Sequence, residues 1–187
     1  MTQKKPTFKA SLKETDIFNR TLLQLRRENC AENFEKHAFL NHEISQQLID
    51  NLQDIKRDFK TVLNMNVRGE ALRTHLQDSF IFNQDISFNM VRQSKTCSIQ
   101  GDEEFLPVKH QSLDLALSCL NLHWVNDLPG ALLQIFRSLK PDGLFLGAMF
   151  GGGSLNELRS SMLKADIDHR GGSSPHISPF MDIRDAG

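Results

Sequence analysis

The sequence predicts an α/β fold, a three-layer sandwich around a mostly parallel sheet. Three observations carry that expectation. Short apolar runs alternate with amphipathic helical stretches from about residue 62 onward. Those runs are mostly apolar rather than strictly alternating, as strands buried on both faces are. The stop signal Lys140-Pro141-Asp142-Gly143 separates the strongest helical stripe from an apolar run, Leu144 to Ala148, suited to a central strand.

Taken in order, residues 1–15 carry Lys4, Lys5, Lys9 and Lys13 ahead of the first acid, Glu14. They read as a solvated, disordered leader; the likeness to a transit peptide is faint, since arginine and an amphipathic stripe are missing. Phe18, Leu22 and Leu25 predict an amphipathic helix from Asp16 to about Asn33, capped by Asp16 and carrying Arg20, Arg26, Arg27 and Glu28 on its other face. A second helix is expected from about Asn41 to Ile55, with Ile44, Leu48, Leu52 and Ile55 as its stripe and Ile49 widening it.

Strands are expected at Val62 to Met65, Ser79 to Phe82, Thr96 to Ile99, Leu113 to Ser118 and Leu144 to Phe150. Helices fall between them at Glu70 to Gln77, Ser87 to Gln93 and Asp127 to Leu139, the last with Leu128, Leu132, Ile135 and Leu139 on one face and Pro129 in the tolerant first turn. The alternation of runs and stripes, together with the family resemblance given below, sets the expected order 3-2-1-4-5. A further helix is expected from Ser154 to about Asp168, between Gly151-Gly152-Gly153 and Gly171-Gly172-Ser173-Ser174-Pro175, and the final residues look like the start of another. Gly151 to Gly153 is no phosphate loop, because no Lys-Ser or Lys-Thr follows; a flexible connection is expected there.

Composition narrows the function less than the fold. A net charge of -1 over 187 residues gives no reason to expect nucleic acid or an anionic membrane as partner. No apolar run approaches the roughly 18 residues of a membrane span, so no integral membrane segment is expected. Cys30, Cys97 and Cys119 are too far apart for a metal or redox pair, and the histidines show no zinc spacing, so no metal is expected and a reducing compartment is.

In open parallel sheets ligands bind beyond the carboxyl ends of the strands. The residues there are Asn64-Met65-Asn66-Val67-Arg68-Gly69-Glu70, Asp85-Ile86-Ser87, Gly101-Asp102-Glu103-Glu104, and Cys119-Leu120-Asn121-Leu122-His123-Trp124. Asp85 follows Asn64 by about 20 positions, the separation at which an acid reaches a nucleoside ribose in dinucleotide-binding folds. Taken alone, Asp85 after a strand is more often a helix cap, a role Ser87 could fill equally well, than a ribose ligand, and the acids at 102 to 104 read as a solvated turn.

The blocks SLDLALSCLNLHWVNDLPGAL, LKPDGLFLGAMFGG and SPHISPF resemble the class I S-adenosylmethionine-dependent methyltransferases, a Rossmann-like family. Within it they are most similar to the biotin-synthesis methyltransferase-like group that includes the mitochondrial complex I assembly factor 5 and its bacterial relatives. The resemblance implies S-adenosylmethionine as cofactor, with Asp85 on the ribose hydroxyls and Ile86 beside it. It puts Asp102 near the adenine amino group with Glu103 adjacent, and Cys119 near the methionine part. Asn64, Asn66 and Gly69 fall in the first-strand loop, and His123 and Trp124 border the substrate side. No general base is implied.

That first loop departs from the family pattern. An acid followed by three alternating glycines is usual, because backbone must approach the cofactor with no Cβ in the way. Here Asn64 replaces the acid, and Asn66, Arg68 and Glu70 hold the glycine positions, with Gly69 one residue out of phase. Weak or absent cofactor binding is therefore expected. The family also closes its sheet with two more strands beyond the region of Asp185, so a truncated gene, a fragment, or a homodimer covering the open edge are all expectations.

The expected organisation is a leader at 1–15, N-terminal helices at 16–60, an α/β core at 61–150 and a helix with loop at 151–187. Three functions stand open: a methyltransferase on a small-molecule, carrier-bound or protein substrate; a respiratory complex I assembly factor-like protein that modifies arginine or acts as a scaffold; and an inactive remnant. The expected location is cytoplasmic, with the mitochondrial matrix as the alternative.

Overall fold

The computed structural model describes residues 16–67, 70–94 and 96–182, except the side chains of Glu70 and Ala71. The expected leader, Arg68, Gly69 and residues 183–187 lie outside the described residues. The chain divides into two compact units, one ending at Ala148 and the other starting at Met149.

The first unit is the predicted sandwich. Strands β1 (Thr61–Met65), β2 (Phe80–Asp85), β3 (Ser98–Gln100), β4 (Leu113–Cys119) and β5 (Leu139–Ala148) form one parallel sheet in the order β3-β2-β1-β4-β5. β1 and β4 sit at its centre, and their burial on both faces explains why they are mostly apolar. On one face α3 (Phe39–Gln53) and α4 (Glu70–His75) bring Leu48, Ile49, Leu52, Leu72 and Leu76 onto Val62, Leu115, Leu117 and Cys119. α5 (Phe88–Gln93) lies along β2 and β3, and α6 (Leu128–Ser138) along β5, the latter burying Leu128, Ala131 and Ile135. Two short helical segments, α1 (Arg20–Cys30) and α2 (Phe34–His37), precede α3 with a 3-10 turn between them.

Several details differ from the sequence expectation. The cap of α1 is Asn19, whose side chain accepts from Leu22 N, not Asp16. α1 also turns its faces the other way: Leu22 and Leu25 are 42% and 55% exposed, while Arg20 is 7% exposed. Lys140 to Gly143 does not separate a helix from a strand. Leu139 pairs with Leu113 and Leu144 with Leu115, so the four residues bulge out inside β5, with Asp142 at φ 65°. β5 ends at Ala148 rather than Phe150.

In the second unit α7 (Asn156–Arg170) ends at Gly171, which takes φ 66° and closes the last turn on Ile167 O. Buried Asp166 ties the following segment back to α7, accepting from Ser174 N at 3.0 Å and pairing with His176 Nε2 at 2.7 Å.

Candidate cofactor site

The parallel sheet brings the carboxyl ends of β1, β2, β3 and β4 to one rim, and the expected residues meet there. β1 ends on Asn64 and Met65, after which Asn66 takes φ 70°. Asparagine tolerates this left-handed conformation better than most residues. Asn66 Nδ2 then donates to Cys119 O at 3.0 Å, and Asn66 O accepts from Asn41 of α3. The first loop is thus tied across to the end of β4.

Asn64 is engaged within the fold. Its amide donates to Val67 O at 3.0 Å and Asn83 Oδ1 at 2.8 Å, while its oxygen accepts from Val67 N at 2.9 Å. Asn83 passes the chain of polar contacts on to Ser94 and Thr96. A cavity of about 690 Å³ lies over these residues, lined among others by Asn64, Asn66, Asn83 and Asp85.

Asp85 closes β2. Its Oδ1 accepts from Ser87 N at 2.8 Å, fixing the turn into α5, whose N-cap is Ser87 itself. The same carboxylate takes a fork from Arg27 of α1: Nε to Oδ1 at 3.0 Å, and Nη2 to Oδ2. Both side chains are nearly closed off from solvent, at 12% and 9% exposure. Burial works against the Arg27 charge, but Asp85 outweighs it and holds the guanidinium above its ordinary pKa. Ile86 is buried beside it, its carbonyl accepting from Gln100.

Beyond β3 the arrangement repeats. Asp102 Oδ1 accepts from Glu104 N at 2.9 Å, and Arg20 forks onto the same carboxylate, Nη2 to Oδ1 at 2.5 Å and Nε to Oδ2 at 3.3 Å. Arg20 Nη2 also reaches Glu103, and Arg20 Nη1 donates to Trp124 O at 3.0 Å. Burial pushes the Glu103 carboxyl up while Arg20 pulls the other way. Glu103 also accepts from Asn121 after β4.

Cys119 is fully buried at the end of β4, with Asn41 Nδ2 and Ser45 Oγ at 3.6 and 3.5 Å from its sulfur. His123 and Trp124 follow in a 3-10 turn, their rings 5.2 Å apart, with Phe18 edge-on to Trp124 at 5.5 Å. Burial, with the nearby Arg27 charge, lowers the His123 pKa to about 4, so its imidazole is neutral at pH 7. Gly69 lies outside the described residues. The sequence reading missed the two arginines: it placed Arg20 and Arg27 on the solvent face. Their i, i+7 spacing, which puts both on one side of a helix, was the available signal.

Among the described residues, no group of three or more His, Cys, Asp or Glu is arranged to hold a metal, and no helix is long and apolar enough to cross a membrane.

Comparison with known proteins bears on the family of the chain. Residues 63–147 match a methyltransferase domain family. The human mitochondrial arginine-hydroxylase NDUFAF5 is 41% identical over 192 residues, covering 97% of this chain and 56% of that protein. A malonyl-[acyl-carrier protein] O-methyltransferase of Xylella fastidiosa is 29% identical over 170 residues, covering 84% and 56% respectively. The chain therefore spans about half the length of the curated relatives it matches. Among solved structures, a Thermotoga maritima S-adenosylmethionine-dependent methyltransferase, possibly a histamine N-methyltransferase by its description, superposes with TM-score 0.57 at 19% identity, covering 84% of this chain and 74% of that one; this likeness supports the fold alone. Residues 63–147 therefore form a methyltransferase-family domain, and the chain, over 97% of its length, is a homologue of the NDUFAF5 arginine-hydroxylases.

Proposed function

We propose that the rim binds S-adenosylmethionine, with weak affinity, and that the protein acts on its substrate from the His123 side. The observation that carries this is the convergence of Asp85 and Asp102 at the ends of adjacent strands, each held by a backbone N–H two residues on. Carboxylates so placed suit a nucleoside. Asp85 would accept from the ribose hydroxyls with Ile86 packed alongside, Asp102 and Glu103 would meet the adenine edge, and Asn64, Asn66, Gly69 and Cys119 would surround the methionine part. The donor set fits the cofactor in type.

When bound, that cofactor supplies a methyl group made electrophilic by its sulfonium. The chain's own residues then have only to hold a nucleophile in line, which proximity alone can accelerate greatly. His123 offers a neutral imidazole near this position and Trp124 an apolar wall. Weak affinity is supported by Asn66, a residue with a side chain where relatives keep glycine, whose amide bridges to Cys119 O. Arg68 and Glu70 at the next two such positions support it on sequence grounds.

A second reading is modification of an arginine in mitochondria, which the relatives' names support, or a scaffolding part in respiratory complex assembly, which the sequence resemblance suggests. Catalysis under either reading uses the same rim, whereas a scaffold does not need it. A thermal melt with millimolar S-adenosylmethionine or S-adenosylhomocysteine tests it, because a ligand that binds only the folded state must raise Tm. An unchanged Tm at millimolar ligand would set the cofactor aside and leave the scaffold.

A further inference from the structure

We propose that α1 is a two-arginine latch over the nucleoside end of the rim, and that Arg27 must leave Asp85 before cofactor can bind. This rests on the cofactor reading above. An ionised carboxylate offers roughly four acceptor positions. On Asp85 three are taken, by Arg27 Nε, Arg27 Nη2 and Ser87 N. A ribose diol bound through both hydroxyls needs two. The Ser87 bond belongs to the local turn into α5, so the bond that gives way comes from Arg27. Asp102 is filled in the same pattern by Arg20 Nη2, Arg20 Nε and Glu104 N.

The attachment of α1 suits release. Leu22 and Leu25 face outward and Leu23 is half-buried, while the bonds that hold α1 inward are ionic or polar: Arg20 and Arg27 on the carboxylates, and Glu28 accepting from Phe88 N and Asn89 N at the start of α5. A helix held this way detaches by exchanging its ion pairs for solvent or ligand, with little apolar surface to expose. The latch couples cofactor binding to the position of α1, and hence to anything that captures α1.

Calorimetric titration of the full chain with S-adenosylhomocysteine tests this with wild type, R27Q and R27K. The latch predicts at least fivefold tighter binding by R27Q, and an intermediate value for R27K, which keeps the charge but loses the fork. It also predicts faster hydrogen exchange of the amides from residue 23 to 30 in wild-type protein at saturating ligand. Equal or weaker binding by folded R27Q, or slowed α1 exchange on binding, overturns the latch and leaves the cofactor reading standing. Absence of binding by every variant, all folded by circular dichroism, refutes the cofactor reading and the latch with it. Should R27Q fail to fold, R27K and the wild-type exchange experiment decide.

Discussion

Replacing Asp85 with asparagine tests how much the Arg27 pair contributes to the fold. The change keeps shape and removes charge, leaving the Arg27 guanidinium, 12% exposed, without its counter-ion. Removing one partner of a buried ion pair costs about 3–5 kcal/mol, and the residual exposure here points to the lower end, about 3 kcal/mol. Arg27→Met should cost somewhat less, about 2 kcal/mol, because Asp85 keeps its bond from Ser87 N. The double variant, which buries no unpaired charge, should fall well short of the sum, leaving a coupling energy of about 2 kcal/mol or more. Urea denaturation followed by Trp124, the single tryptophan, reports on this unit, since its carbonyl accepts from Arg20 and its ring packs on Phe18. At a slope of about 2 kcal/mol/M the Asp85→Asn midpoint should move by about 1.5 M. A loss below 1 kcal/mol, or strict additivity of the two changes, would refute the buried pair.

Other expectations follow from single contacts. His123 has pKa about 4 folded against an ordinary 6.5, so the native state excludes a proton that the unfolded chain binds; stability present above pH 6.5 falls as pH drops toward 4, by up to about 3 kcal/mol, and His123→Gln should flatten that limb in melts across pH. Asn64→Asp, the change that restores the family's acid, removes both donors to Val67 O and Asn83 Oδ1 and should cost about 1–3 kcal/mol in a thermal melt; an unchanged Tm would show that those contacts do not matter. Asn19→Ala and Asp127→Ala each delete a helix cap, on Leu22 N and Gly130 N, and should each cost about 1 kcal/mol in urea, with no change if the caps are idle.

The strands were legible because central parallel strands are mostly apolar on both faces, as Val62 to Met65 and Leu113 to Ser118 are, and their order from the alternation with helices and the family resemblance. The cap Ser87 was legible from residue type and position, whereas Asp127, read as the first residue of its helix, caps it. The orientation of α1 was not. Periodicity sees that Leu22 and Leu25 share a face, yet it cannot see carboxylates 58 and 82 positions away that draw Arg27 and Arg20 inward. The bulge in β5 escaped for a similar reason: Pro141 and Gly143 look like a stop until Leu139 finds Leu113 on the neighbouring strand. Asp85, Asp102 and Cys119 were legible as strand-end residues because the fold itself gathers strand ends. What already holds those groups depended on tertiary contacts, with Arg27 on Asp85 the clearest case.

The most direct test of the cofactor site is a titration of isotope-labelled protein with S-adenosylhomocysteine followed by amide chemical shifts, which reports position even at millimolar affinity. The site predicts saturable shifts concentrated at Asp85 to Ser87, Asp102 to Glu104 and Cys119 to Asn121, with α1 responding through Arg20 and Arg27. Shifts confined to other regions, or none at millimolar ligand, would contradict it.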